Sequence, residues 1–154
     1  MKLSEMLDAD RIRIPLQAGT KEDALRELVG LVAGEDGDRT ETIFDAVAER
    51  ESRMSTGIGQ GVAIPHGKSD LVSGMEIAFG IAAQPVDYNA LDGEPVSLFF
   101  LLVSPPDRTG DHIKALAQIS RLLTSDAVRD ELSAATSADE VLDLLRREEA
   151  LQDD

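Results

Sequence analysis

The chain has no cysteine, which excludes disulfides, thiolate metal sites and cysteine nucleophiles. It is also poor in positive charge. Fifteen Lys and Arg stand against thirty Asp and Glu, a formal charge of −15. That balance argues against nucleic acid, where Lys and Arg on phosphates supply most of the affinity. It equally disfavours adsorption to anionic lipid. No apolar run reaches about 18 residues, so no membrane span and no membrane insertion are expected. The opening MKLSEMLDADRIRI breaks its apolar stretch with charge too early for a signal peptide. A cytoplasmic location is the expectation. The acidic excess fits a solvated surface, of the kind a salty cytoplasm would select, or steering toward a basic protein partner.

What is present fits one ordinary domain. The 154 residues are 42% apolar, enough for a single core, and the domain is expected to span 1–154. Residues 11–17, RIRIPLQ, alternate as a strand does. Thr20 is placed to cap a helix whose inward face is Leu25, Leu28, Val29 and Val32, ending at Gly34. A surface loop is expected over 34–38. Thr40 can cap a second helix with Ile43, Phe44 and Val47 inward and Glu49, Arg50, Glu51 and Arg53 near its end.

Strand signals follow: VAIP at 62–65, MEIAFGIAA at 75–83 and PVSLFFLLVSPP at 95–106. The last is nearly continuous in apolar residues, as a strand buried on both faces should be. From about Asp111 the pattern is helical. Thr109 or Asp111 would cap a face of Ile113, Leu116, Ala117, Ser120 and Leu123. A short helix near 127–132 and a last one through Val141, Leu142, Leu144 and Leu145 complete the chain, with a frayed tail from Glu148 to Asp154. Helices on either side of a block of strands predict the α/β class: a three-layer α/β/α sandwich with a mixed central sheet, in a single domain.

Chemistry concentrates on "STGIGQGVAIPHGKSD", which holds one of the two histidines. The GxGxG at 57–61 precedes a strand rather than a helix, and no Lys-Ser/Thr follows, so it is neither a Walker loop nor a dinucleotide fingerprint. Glycines there let backbone N–H groups converge on an anion. His66 lies between Pro65, which fixes its own φ, and Gly67, which adds no bulk. An imidazole titrating near pH 6.5 is a nucleophile when neutral. A ring held there can expose one nitrogen while the other donates to a carbonyl. A phosphoryl group on the exposed nitrogen would draw donors from loop amides, the Ser55 and Thr56 hydroxyls and a nearby cation. His112 falls in the first turn of a helix, where anions are favoured, and could face the same pocket.

Each residue also has a plainer reading. His66 could be a structural strand-end histidine, His112 a solvent-facing one, and Arg50 and Arg53 solvated helix residues. No H-E-x-x-H and no third ligand mark a zinc site, so no metal and no cofactor are expected. No G-x-S-x-G elbow marks a hydrolase.

The run RESRMSTGIGQGVAIPHGK, Arg50 to Lys68, resembles the phosphorylation-site signature of IIA domains in the fructose–mannitol branch of the bacterial phosphotransferase system. QPVDYNALDGEPVSLFFLLVSP resembles the family's middle segment, TGDHIKALAQISRLL its second-histidine segment, and SADEVLDLLRR its final helix. The resemblance covers nearly the whole chain. It implies a phosphocarrier component rather than a stand-alone enzyme. His66 would accept a phosphoryl group on Nε2 from the phosphocarrier protein HPr. His112 would support that group, and Arg50 would help to neutralise it. Ser55, Thr56 and Gly57 match the small residues leading into the pocket. Gln60 stands where an asparagine is expected, leaving an amide in the phosphate-binding set. The next partner would be a IIB domain or a regulatory target protein. Single-domain length and the wording of the signature lean toward a free-standing nitrogen-regulatory type. The alternatives are a fructose- or mannitol-type IIA that phosphorylates a IIB cysteine, and an interaction module that has lost transfer.

Overall fold

A computed structural model describes residues 2–34 and 36–152. Glu35 of the expected 34–38 loop, and Asp153 and Asp154 of the expected tail, lie outside the described residues. After a short helix α1 (Leu3–Met6) and a 3-10 turn, the chain enters β1 (Ile12–Leu16). Two helices follow, α2 (Lys21–Ala33) and α3 (Gly37–Arg53), then three short strands, β2 (Gly57–Gly59), β3 (Val62–Ala63) and β4 (His66–Lys68). Two long strands, β5 (Glu76–Val86) and β6 (Val96–Ser104), precede α4 (Thr109–Leu122), α5 (Asp126–Ala134) and α6 (Ala138–Gln152).

The sheet order is β1-β5-β6-β3-β2, with β4 also pairing with β6. β6 is antiparallel to β5 and parallel to both β3 and β4, so the sheet is mixed. It is the central strand, and its side chains divide the core by the two-residue period of a strand. Leu98, Phe100 and Leu102 pack on one side with Ala115, Ile119, Val128, Leu132 and Val141 of the C-terminal helices. Phe99, Leu101 and Val103 pack on the other with Leu25, Leu28, Val29, Ile43 and Val47 of α2 and α3. All six strand residues are buried, and each such Leu or Phe is worth roughly 1.5–3 kcal/mol of burial. The three-layer α/β/α expectation holds.

Local expectations fare unevenly. Thr20 caps α2 by accepting from the Asp23 N–H. Thr40 does not cap α3. Asp36 does, through the N–H groups of Asp38 and Arg39, so the helix begins at Gly37 and Thr40 falls inside its first turn, donating its hydroxyl to the Asp36 carbonyl at 2.9 Å. The expected loop is correspondingly shorter. Neither Thr109 nor Asp111 caps α4; the cap position is Arg108, with no side-chain cap bond. The inward face of α4 is His112, Ala115, Ile119 and Leu122, about one residue out of phase with the expected stripe, and Ile113 is 61% exposed. The expected frayed tail is helical through Gln152.

Candidate functional site

Residues 62–68 run beside β6 as one extended segment, broken at Ile64 and Pro65. Proline has no N–H to give to a ladder, and the break falls where that donor is missing. Pro65 still accepts from the Leu102 N–H at 3.0 Å, which keeps the segment in register. The Ile64 carbonyl lies 2.9 Å from Nδ1 of His66. A carbonyl only accepts, so Nδ1 carries the proton and Nε2 of the neutral ring carries a lone pair. Burial depresses the His66 pKa, the Ile64 bond opposes this, and the nearby Arg50 charge lowers it further. The ring is therefore neutral at neutral pH, with its nucleophilic nitrogen decided by the main chain.

Helix α3 can approach because Gly67 follows the histidine. A Cβ on Gly67 would sit 3.1 Å from the Val47 backbone nitrogen. This close contact brings the C-terminal half of α3 over β4. Between them and α4 opens a cavity of about 650 Å³, lined by Asp45, Ala46, Glu49, Arg50, Arg53, His66, Gly67, Lys68, His112 and Leu116.

The two imidazoles share this cavity, with ring centroids 5.4 Å apart and planes at 63°. His112 is buried rather than solvent-facing, and its Nδ1 lies 2.6 Å from the Ser104 hydroxyl on β6. Burial, then the facing His66 and Lys68, push its pKa down to about 4. Arg50 donates to the Met54 carbonyl at 2.9 Å, and Lys68 reaches the Thr109 hydroxyl of α4 at 3.1 Å. Neither has a carboxylate partner among the described residues. Arg53 is held by Glu49 one turn back at 2.9 Å.

The glycine loop is not part of this wall. Thr56 is buried, and its N–H and hydroxyl both bind Glu51, at 2.9 and 2.5 Å. Its hydroxyl also lies 3.0 Å from the Tyr88 hydroxyl. Ser55 accepts the Gly57 N–H in a local turn. Gly57 packs against Ala90, and its carbonyl accepts the Leu91 N–H. Gln60 turns the β2–β3 hairpin with φ 61°, followed by Gly61 at φ 78°, and its N–H binds Asp92. Two positive φ values in a two-residue loop are those of a type I′ turn, where asparagine is the common choice. The amide at position 60 is thus a turn residue. Ser55, Thr56, Gly57 and Gln60, expected to bind phosphate, do not line this cavity; their hydrogen bonds and packing are to Glu51, Tyr88, Ala90, Leu91 and Asp92 and within the loop.

Glu51 is central among these partners. Burial acts to raise its pKa, but hydrogen bonds from Thr56 and Lys21 outweigh burial and hold it low. Lys21 of α2 lies 2.9 Å from the carboxylate and 4.3 Å from the centre of the Tyr88 ring. Of the cations of the cavity, Lys68 was given no role from the sequence and Arg53 was read only as a solvated helix residue. Their signals were available. Arg53 is three residues after Arg50 on a helix, and Lys68 two after His66 on a strand, so each shares a face with its neighbour.

Two facing imidazoles in a cavity whose wall carries Arg50, Arg53 and Lys68 beside Asp45 and Glu49 have the make-up of a small anion-handling domain. The family follows from comparison. Residues 5–148 match the family described as "Phosphoenolpyruvate-dependent sugar phosphotransferase system, EIIA 2", and the chain belongs to it.

Among curated relatives, it is 35% identical to the nitrogen regulatory protein of Bradyrhizobium diazoefficiens, over 94% of this chain and 95% of that protein. It is 36% identical to the PTS system fructose-specific EIIA component of Haloferax volcanii, over 93% and 94%. It is also 36% identical to part of the fructose-specific EIIABC component of Bacillus subtilis, covering 96% of this chain but only 23% of that protein. The crystal structure of nitrogen regulatory protein IIA-Ntr from Neisseria meningitidis superposes with a TM-score of 0.87 at 34% identity, covering 93% of this chain and 98% of that one. A complex of IIA and phosphorylated IIB for mannitol from Escherichia coli superposes at 0.73 with 25% identity, over 90% and 96%. Among the described residues, no helix is long and apolar enough to cross a membrane.

Proposed function

We propose that this protein is a nitrogen-regulatory-type IIA that receives its phosphoryl group on Nε2 of His66 and acts through contacts that depend on its phosphorylation. The observation that carries the site is the His66 Nδ1–Ile64 carbonyl bond, which leaves Nε2 as the free nucleophile in the cavity. The donor is a phosphohistidine on a partner of HPr type. Its N–P bond breaks as the His66 Nε2–P bond forms in line, and the departing imidazole keeps the electron pair. Positioning and charge stabilisation supply most of the catalysis in such a transfer. In this reading Arg50, Lys68 and Arg53, which line the same cavity, meet the phosphoryl oxygens, and His112 supports the group without holding it. The regulatory reading is favoured by the close superposition on IIA-Ntr and by coverage of nearly the whole length of the regulatory relatives.

A second reading, a fructose-type IIA that passes the group to a IIB cysteine, draws on the Haloferax volcanii relative, which matches at 36% identity over 94% of its own length. The test uses phosphoenolpyruvate, the general first enzyme and HPr. One acid-labile adduct is expected, absent in His66→Ala. An adduct that survives His66→Ala overturns the site. His112→Ala should accept the group but hand it on poorly. Efficient onward transfer to a fructose-type IIB would replace the regulatory reading with the second one.

A further inference from the structure

The Ser104 hydroxyl is wholly buried at the end of β6, beneath the α4 imidazole. Among the described residues its only hydrogen-bonding partner is Nδ1 of His112, at 2.6 Å. The pair can be arranged in two ways. If Nδ1–H donated to the oxygen, the serine O–H would be left buried without an acceptor, at a cost of roughly 1–3 kcal/mol. If the O–H donates to an unprotonated Nδ1, both groups are satisfied. The neutral ring then carries its proton on Nε2.

We propose that Ser104 is a positioning residue that sets the tautomer of His112, so that the two imidazoles of the cavity carry their protons on opposite nitrogens. His66 is protonated on Nδ1 and presents a lone pair at Nε2. His112 is protonated on Nε2 and presents a donor. The assignment for His112 matters because that ring is neutral at physiological pH, where only its tautomer decides whether it donates or accepts. An acceptor at that place would repel a phosphoryl oxygen, and a donor would bind one. This last step rests on the phosphocarrier reading above. The tautomer itself does not.

The test is long-range proton–nitrogen correlation NMR on histidine-labelled full-length protein near pH 7.5. The wild type should show an unprotonated Nδ1 and protonated Nε2 for His112, and the reverse pattern for His66. In Ser104→Ala the His112 Nδ1 resonance should shift, or average between tautomers, on losing its donor. Ser104→Thr should restore the wild-type pattern. Transfer from phosphorylated His66 to an acceptor protein should fall about tenfold in Ser104→Ala, the worth of about one hydrogen bond, and recover in Ser104→Thr. A protonated Nδ1 on wild-type His112 overturns the proposal, whether or not Ser104→Ala folds. So does a Ser104→Ala spectrum unchanged at His112. A chain that takes up no phosphoryl group refutes the carrier function, while the wild-type tautomer still decides the role of Ser104.

Discussion

Arg50 and Glu51 are adjacent on α3 and do opposite things. Arg50 looks into the cavity and spends one donor on the Met54 carbonyl. Glu51 looks into the fold, where its carboxylate accepts from Thr56 twice and pairs with Lys21. About 100° of helix rotation separates a charge kept available for a ligand from one consumed by the structure. The lesson is that the signature around the histidine is two devices in series. One arm holds the loop and α2 against α3, and the other faces the cavity where the proposed phosphoryl group would sit.

That comparison makes graded predictions. The largest effect is on folding. Glu51→Ala strands Lys21 and two Thr56 donors, and should cost about 3 kcal/mol in urea unfolding. The mirror variant, Arg50→Ala, should change stability by no more than about 0.5 kcal/mol yet slow phosphoryl acceptance about a hundredfold, measured as single-turnover labelling of His66. If Arg50→Ala unfolds the protein, or Glu51→Ala leaves its stability intact, the two arms are not separate.

The imidazole wall gives the next effect, through pH. Burial, then the facing His66 and Lys68, lower the His112 pKa from 6.5 to about 4. The unfolded chain therefore binds the proton first as pH falls. Stability should be lost between about pH 6.5 and 4, by on the order of 2–3 kcal/mol, with no further loss from this group below that. His112→Gln should flatten that part of the stability–pH curve. Behind the wall, Gly57→Ala would place a Cβ 2.7 Å from the Ala90 Cβ and 2.9 Å from its Cα. Overpacking there should cost about 1–3 kcal/mol by thermal unfolding while leaving the cavity cations untouched. The smallest effect belongs to Arg53→Ala. Its pairing with Glu49 is exposed, worth about 0.3–0.5 kcal/mol, and labelling should slow only a few-fold.

The same division explains what could be read from the sequence. The apolar run of β6 announced a strand buried on both faces, and the Thr20 cap was plain, because both depend on residues next to one another. His66 was marked by its proline. The phase of α4 was obscured by Ile113 and Ala117, which are apolar yet exposed, while the polar His112 is buried and bonded to Ser104 at the end of β6. The fate of the glycine loop was hidden for a related reason. Its partners, Tyr88, Ala90 and Asp92, lie some thirty residues further on, and no local pattern shows that a threonine hydroxyl is already taken by a buried carboxylate. Asp36 displaced Thr40 as a cap by a full turn, because both residue types cap and only the start of the helix decides between them.

The group that orients the His66 ring is a peptide oxygen, contributed by Ile64 just two positions upstream. No change of side chain can delete it, since every amino acid placed at 64 brings the same oxygen. A mutational survey of the protein would therefore pass over the contact that orients the His66 ring. Reaching it requires altering the main chain itself, for instance by semisynthesis with an ester in place of the amide that links Ile64 to position 65, which makes that oxygen a poorer acceptor and loosens the ring without touching any wall of the cavity.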